Sequence, residues 1–247
     1  MVRRGALVLG LALVTVLTGC NRADTQAPEV TLSQAAEALN QVSGYHVRWA
    51  TPPSPQGQVV YDLSVRPPGA ATGTITLGSA GTGVHTYPMR FDGQSLYAQG
   101  RSFAEVYYAQ FGIPTAAVDQ LIGDRWFKDR PAPPGGLLEM LTNPGEIGKC
   151  ITGSHGALRI IPPPTGGGSP AVVIADHGNG QSLPSMEYSV ASSGAPYPLL
   201  IEQTGDAQSA NGNDPCHVEM GVTAAFSDFG VPVSISLPHD PVDVSKL

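Results

Sequence analysis

Apolar and polar residues alternate in short runs over much of the chain, and the period of two predicts half-buried antiparallel strands. Val59, Tyr61, Leu63 and Val65 alternate with Val60, Asp62, Ser64 and Arg66. Ile75 and Leu77 share one face of Ala71–Leu77, and Tyr87, Met89 and Phe91 share one face of Val84–Phe91. Asp92-Gly93 separates that run from Leu96 and Ala98, which predicts a hairpin with a type I′ turn, where both central residues take positive φ. Ser102 and Glu105 then form a capping box that opens a helix over Phe103–Phe111, and Gly112 stops it. Pro114 suits the first turn of a second helix with Val118, Leu121 and Ile122 on one face. Gly123-Asp124 turns the chain into a short strand, Arg125–Lys128. A sheet with a helical lid is the expectation for this stretch, and such a sheet can enclose something apolar.

The flanks extend the same picture. Leu32, Ala35, Ala36, Leu39 and Val42 recur at helical spacing over Thr31–Val42, and Tyr45–Trp49 reads as the first strand. After the breaker Pro131–Gly136, Leu137–Leu141 reads as a short helix of the lid. Asn143-Pro144-Gly145 reads as a turn and Glu146–Ile151 as the approach to further strands. Those strands are Leu158–Ile161, Ala171–Ala175, Met186–Val190, Pro198–Glu202, Val218–Phe226 and Val233–Leu237. With 30 glycines, 23 prolines and only 13% charged residues, many turns between short strands are expected. A helix followed by a meander is an α+β arrangement.

The N-terminus carries a different signal. Arg3 and Arg4 precede the apolar run Ala6–Leu17, which is short for a membrane span. The run ends in Leu17-Thr18-Gly19-Cys20, which resembles the bacterial lipobox. That resemblance implies diacylglyceryl transfer to the Cys20 thiol, cleavage before it, and anchoring of the mature chain to the extracytoplasmic face of the cell membrane. The competing reading, a secretory signal with a chance cysteine, fits less well with small Thr18 and Gly19 and polar Asn21–Asp24. The expected organisation is a signal peptide over 1–19, a lipidated N-terminus and tether over 20–29, and one domain over 30–247. Removing 1–19 takes away two arginines and no acid, so the mature chain is more acidic than the −7 of the whole. An acidic chain argues against nucleic acid as partner and against an extended basic contact with anionic lipid.

If lipid takes Cys20, Cys150 and Cys216 remain in an oxidising compartment, where a disulfide between them is the favoured reading. A zinc site using His155 and His217 is the alternative, but Cys-x-x-x-x-His and adjacent Cys-His do not match common ligand spacings, so no metal is expected. Ser154-His155 lies outside a Gly-x-Ser-x-Gly elbow, and Asp176-His177 and His239-Asp240 are adjacent pairs, which is not the spatial relay of a triad. Gly166-Gly167-Gly168 precedes no Lys-Ser or Lys-Thr, so it is no phosphate cradle. No enzyme activity and no cofactor are expected.

The order helix, meander, Asp-Gly hairpin with Leu-Tyr-Ala, capped helix and Trp-Phe-Lys strand resembles the actinobacterial lipoproteins of the LprG and LppX type, with a LolA/LolB-like half-barrel. The ending Phe226–Ile235 is similar to the last hairpin of that family, where an aromatic-glycine turn and a Pro-Val strand close the sheet. The resemblance implies a strongly curved antiparallel β-sheet with helices in its concave face and an apolar cavity for acyl chains. It implies a carrier or binder of lipids or glycolipids. The candidate cavity residues are Val106, Phe111, Val118, Leu121, Ile122, Leu137 and Leu141. The alternative is a docking or sensory lipoprotein whose core fills itself and which binds an envelope protein partner.

Overall fold

The computed structural model describes residues 26–55, 57–79, 83–101, 103–104, 114–129, 136–163, 170–205 and 222–244. The first helix, α1 (Pro28–Asn40), starts ahead of the expected Thr31 because Pro28 serves in its first turn, where a missing N–H costs nothing. Leu32, Ala35, Ala36 and Leu39 form its buried face. Six strands follow in a meander: β1 (Tyr45–Ala50), β2 (Gln58–Arg66), β3 (Ala70–Ser79), β4 (Gly83–Phe91), β5 (Leu96–Gln99) and β6 (Trp126–Asp129). Helix α2 (Thr115–Leu121) precedes β6. Helices α3 (Leu137–Thr142) and α4 (Pro144–Thr152) come next, then a second meander of β7 (Leu158–Ile161), β8 (Ala171–Asp176), β9 (Met186–Ala191), β10 (Pro198–Gln203) and β11 (Thr223–Ser227). β12 (Val242–Asp243) is last.

All twelve belong to one sheet in the order β12-β6-β5-β4-β3-β2-β1-β11-β10-β9-β8-β7. The two meanders join where β1 pairs with β11. Every pairing is antiparallel except β12 with β6. The sheet is curved and not closed, and helices cover its concave face, as the sequence led one to expect.

The registers show how alternation builds the core. Phe226, Val47, Leu63, Gly73, Met89, Ala98, Phe127 and Val242 lie side by side across eight strands. All the side chains in that row except Val242 are buried. One residue along, the row is Ser227, His46, Ser64, Thr72, Arg90, Tyr97, Lys128 and Asp243, which is polar. A slip of one residue would exchange the two faces. Gly73 sits where the sheet is pinched, since a Cβ there would come 2.0 Å from the Asp62 carbonyl oxygen.

Three sequence expectations need correction, and a fourth is described only in part. The segment expected as a turn and an approach to strands is α4: Asn143 accepts the Gly145 N–H with its side chain, Pro144 opens the first turn, and Glu146 and Lys149 pair across one turn. The Asp92-Gly93 hairpin exists, but its loop is four residues long. Gly93 has positive φ while Asp92 does not, and the Asp92 carboxylate instead accepts the N–H groups of Gln94 and Ser95. Val233–Leu237 does not join the sheet. Val233 and Ile235 are half-buried and Ser234 and Ser236 exposed, so the alternation was real, but β1 already has β2 and β11 as neighbours. The chain instead crosses Gly44, where a Cβ would lie 2.2 Å from the Val231 carbonyl. The capped helix is described only at Arg101, Phe103 and Ala104, which are helical; the rest of that expectation lies outside the described residues.

The sheet has two ends. At the lower end lie Tyr45, the β2–β3 turn and Ser227; at the upper end lie Ala50, Gly83, Trp126, Asp176, Met186 and Thr223. Helix α4 runs upwards. Below its start, the Thr142 carbonyl accepts the Gly69 N–H of the β2–β3 turn at 3.0 Å. Beyond its last turn, His155 reaches Asp176 at the top of β8. Helix α1 packs antiparallel along α4, Asn40 beside Gly145 and Ala36 against Gly148. The first turn of α1 is therefore at the upper end.

Candidate functional site

A second register row sets the site. Tyr87, Ile75, Tyr61, Trp49, Ala224, Ile201, Tyr188 and Ile174 lie side by side from β4 to β8. Seven of these side chains are large, and Ala224 is small. Its missing volume lies under α3 and α4, and there an apolar cavity of about 40 Å³ opens. Trp49, Ala224, Phe226, Ile201 and Met186 form its sheet side, Met140, Leu141, Ile147 and Cys150 its helical roof, and Val222 the side next to β11. No charged side chain lines it. That volume is close to the room one water takes in the liquid, far below the roughly 300 Å³ where ordinary ligand pockets begin.

The roof is tied down at one end. The fully buried Tyr45 hydroxyl donates to the Leu141 carbonyl at 2.8 Å, and burial pushes its phenol far above the usual range, so it stays a neutral donor. Together with the Gly69–Thr142 bond, this fixes the lower end of α3 to β1 and the β2–β3 turn. At the upper end a polar clasp follows the last turn of α4. His155 Nδ1 lies 2.9 Å from Asp176 Oδ2, and its Nε2 lies 3.0 Å from the Ile151 carbonyl. The other carboxylate oxygen accepts the Gly156 and Gly178 N–H groups, each at 2.8 Å. Tyr188 packs edge-on against the imidazole, and burial, with the Asp176 charge second, drives its phenol upwards. The arrangement pairs members of two different adjacent pairs noted in the sequence. It has no nucleophile: the nitrogen that would act as base faces a carbonyl.

Of the cavity residues expected from the sequence, Leu141 lines this cavity. Leu137 is half-buried against the core, and Val118 on α2 and Ile122, which caps that helix, are buried within it. Leu121, the last residue of α2, is 41% exposed although its i+3 spacing from Val118 would place it on the same face. Val106, Phe111, Cys20 and Cys216 lie outside the described residues. Cys150 lines the cavity with its sulfur 3.8 Å from that of Met140. Trp49, Met186, Ile201 and Ala224 were missed. Each was readable as an inward strand position, but which of them meet depends on the β1–β11–β10–β9 register. Among the described residues, no group of three His, Cys, Asp or Glu side chains stands close enough to hold a metal, and no helix is long and apolar enough to cross a membrane.

No protein-family profile matches the sequence, and no curated protein matches it either. Solved structures do. LprF from Mycobacterium bovis superposes with a TM-score of 0.54 at 14% identity, covering 86% of this chain and 97% of the other. The lipoprotein LppX of Mycobacterium tuberculosis gives 0.50 at 12% identity, covering 85% and 98%. At such identities the likeness speaks for the fold. The chain has the open, curved half-barrel fold of the mycobacterial LprF and LppX proteins, along nearly the whole length of each.

Proposed function

We propose that this protein is an envelope lipoprotein, anchored through acylated Cys20 on the extracytoplasmic face, that takes lipid acyl chains between its sheet and the α3–α4 roof. The observation that carries this reading is the apolar cavity around Ala224. Three features support its growth into a ligand site. The roof is bonded to the sheet through Tyr45 and Gly69 below and His155–Asp176 above, contacts made at its two ends, so the helices between them can shift without breaking the strand ladder. Met140 and Met186 are unbranched and repack around guests of different shape. Each methylene buried contributes about 0.8 kcal/mol, so a chain of ordinary length offsets the cost of lifting two short helices. A Cys150–Cys216 disulfide would staple the last turn of α4 to the segment before β11, leaving the roof a fixed tether beside the cavity. The lid positions Val106, Phe111, Val118, Leu121, Ile122 and Leu137 form the outer part of this reading.

The small volume favours a second reading. A cavity of about 40 Å³ is nearly self-filled, as a docking or sensory module for an envelope protein partner would be. Mass spectrometry of non-covalent lipid extracted from the protein, purified with its N-terminal lipid from a bacterial membrane, separates the two. Stoichiometric lipid is the expected result. Protein free of extractable lipid that takes up none when offered it selects the second reading.

A further inference from the structure

Six large hydrophobic side chains are exposed among the described residues: Val30, Val84, Leu121, Ile160, Val231 and Leu237. Three of them belong to the upper end. Val30 is in the first turn of α1, and Val84, 75% exposed, stands where β4 begins. Leu121 ends α2, and its carbonyl is held by the Arg125 guanidinium just before β6 starts at Trp126. The cavity also runs towards this end, since Met186 and Val222 stand at the upper ends of β9 and β11.

The chain ahead of α1 points to what this end meets. Pro28 lies eight steps along the chain from Cys20, and even fully extended that stretch spans only roughly 28 Å. Helix α1 itself, at about 1.5 Å per residue, covers roughly 20 Å from the upper end towards the lower. A lipid on Cys20 therefore holds the first turn of α1 within roughly 28 Å of the bilayer. Facing the other end down would use up roughly 20 Å of that reach along α1, so the slack tether favours the end that carries the first turn.

We infer that the upper end of the sheet is the surface that rests on the lipid bilayer, with Val30, Val84 and Leu121 entering the headgroup layer and the α4 end of the cavity turned towards the acyl chains. This rests on the lipoprotein reading and adds an orientation to it. Apolar side chains of this kind bind a bilayer weakly alone, and the covalent anchor makes their insertion local rather than bimolecular. Ile160, on the edge strand β7, and Val231, which follows the lower end of β11, stay in water.

The test uses the acylated protein in vesicles of phosphatidylethanolamine and phosphatidylglycerol with brominated chains, which quench tryptophan at the bilayer surface. Val84→Trp and Val30→Trp are expected to lose the added emission in brominated vesicles and to shift to the blue. Val231→Trp is expected to do neither. Emission from Val84→Trp and Val30→Trp that is quenched no more than that of Val231→Trp, in protein that floats with the vesicles, overturns the orientation while leaving the anchor in place. Protein whose Cys20 carries no acyl group by mass and that does not float overturns the lipoprotein reading and the orientation with it.

Discussion

The two meanders share one sheet and one curvature, yet their concave faces are filled differently. Under β4–β6 the filling is aromatic: Tyr87 packs on Phe103 with ring centres 5.4 Å apart, and Phe103 stacks on Phe127 at 5.8 Å. All three rings are buried. Around β9–β11 the filling is Ala224, Ile201 and Met186 under a roof of Met140, Leu141 and Ile147, and a cavity remains. Among the described residues, stacked rings close the first half, while the second keeps a small cavity beside one small side chain, Ala224.

The largest way to break that contrast is Phe127→Ala. Phe127 is fully buried, and its loss should cost about 3–5 kcal/mol, read as a lower denaturation midpoint with an unchanged slope. A loss under 1 kcal/mol would mean that the aromatic half is no more rigid than the other. Next is the staple of the adaptable half. If Cys150 and Cys216 are joined, Cys216→Ala should remove up to about 4 kcal/mol, and Cys150→Ala with it should remove little more. Peptide mapping without reduction checks the bond directly.

Tyr45→Phe tests the lower tie of the roof. It leaves the buried Leu141 carbonyl without its donor, and should cost about 1–3 kcal/mol. Hydrogen exchange should rise in α3 well before it rises in β4–β6. Equal acceleration in both would deny a separate hinge. Ala224→Val closes the contrast from the other side: two added methyl groups fill a cavity of about 40 Å³. Stability should change by less than about 1.5 kcal/mol, while non-covalent lipid falls sharply. Undiminished lipid in the folded variant would place the acyl site elsewhere.

The smallest effect concerns the Asp92 loop of the sealed half. Burial alone would raise its carboxyl, but the N–H groups of Gln94 and Ser95, the Tyr97 hydroxyl and the Lys128 charge hold it below its ordinary value. The ionised form is thus favoured by folding. Its contribution is present above about pH 4, the unfolded value, and is lost as pH falls through the lower folded value. Asp92→Asn should flatten that part of the acid-stability profile. A profile unchanged by the substitution would remove Asp92 from the account.

Much of this was local and therefore legible. The alternation of β2 and β4, the helical spacing of α1 and the break at Gly93 are short-range patterns; the strands stand within a residue of where they were read, and α1 is shifted by three residues at its start. Helix α4 was legible too, because Asn143, Pro144 and Glu146 are start signals, but a Pro-Gly pair in the same place spoke for a turn. Val233–Leu237 shows the reverse: alternation records which side chains face the protein, and it cannot say whether an edge is free for the strand to join.

The sequence by itself determined most of the strands, the α1, α2 and α3 helices and the alternation that gives each strand a polar face, because each rests on neighbours a few residues apart. Only the tertiary structure decided that Ala224 falls between Trp49 and Ile201, that His155 clasps Asp176, and that the first turn of α1 shares an end with Val84. These depend on which strand lies beside which, and on the direction in which helices cross the sheet. That choice is made by packing between residues far apart in the chain, where no local period can reach.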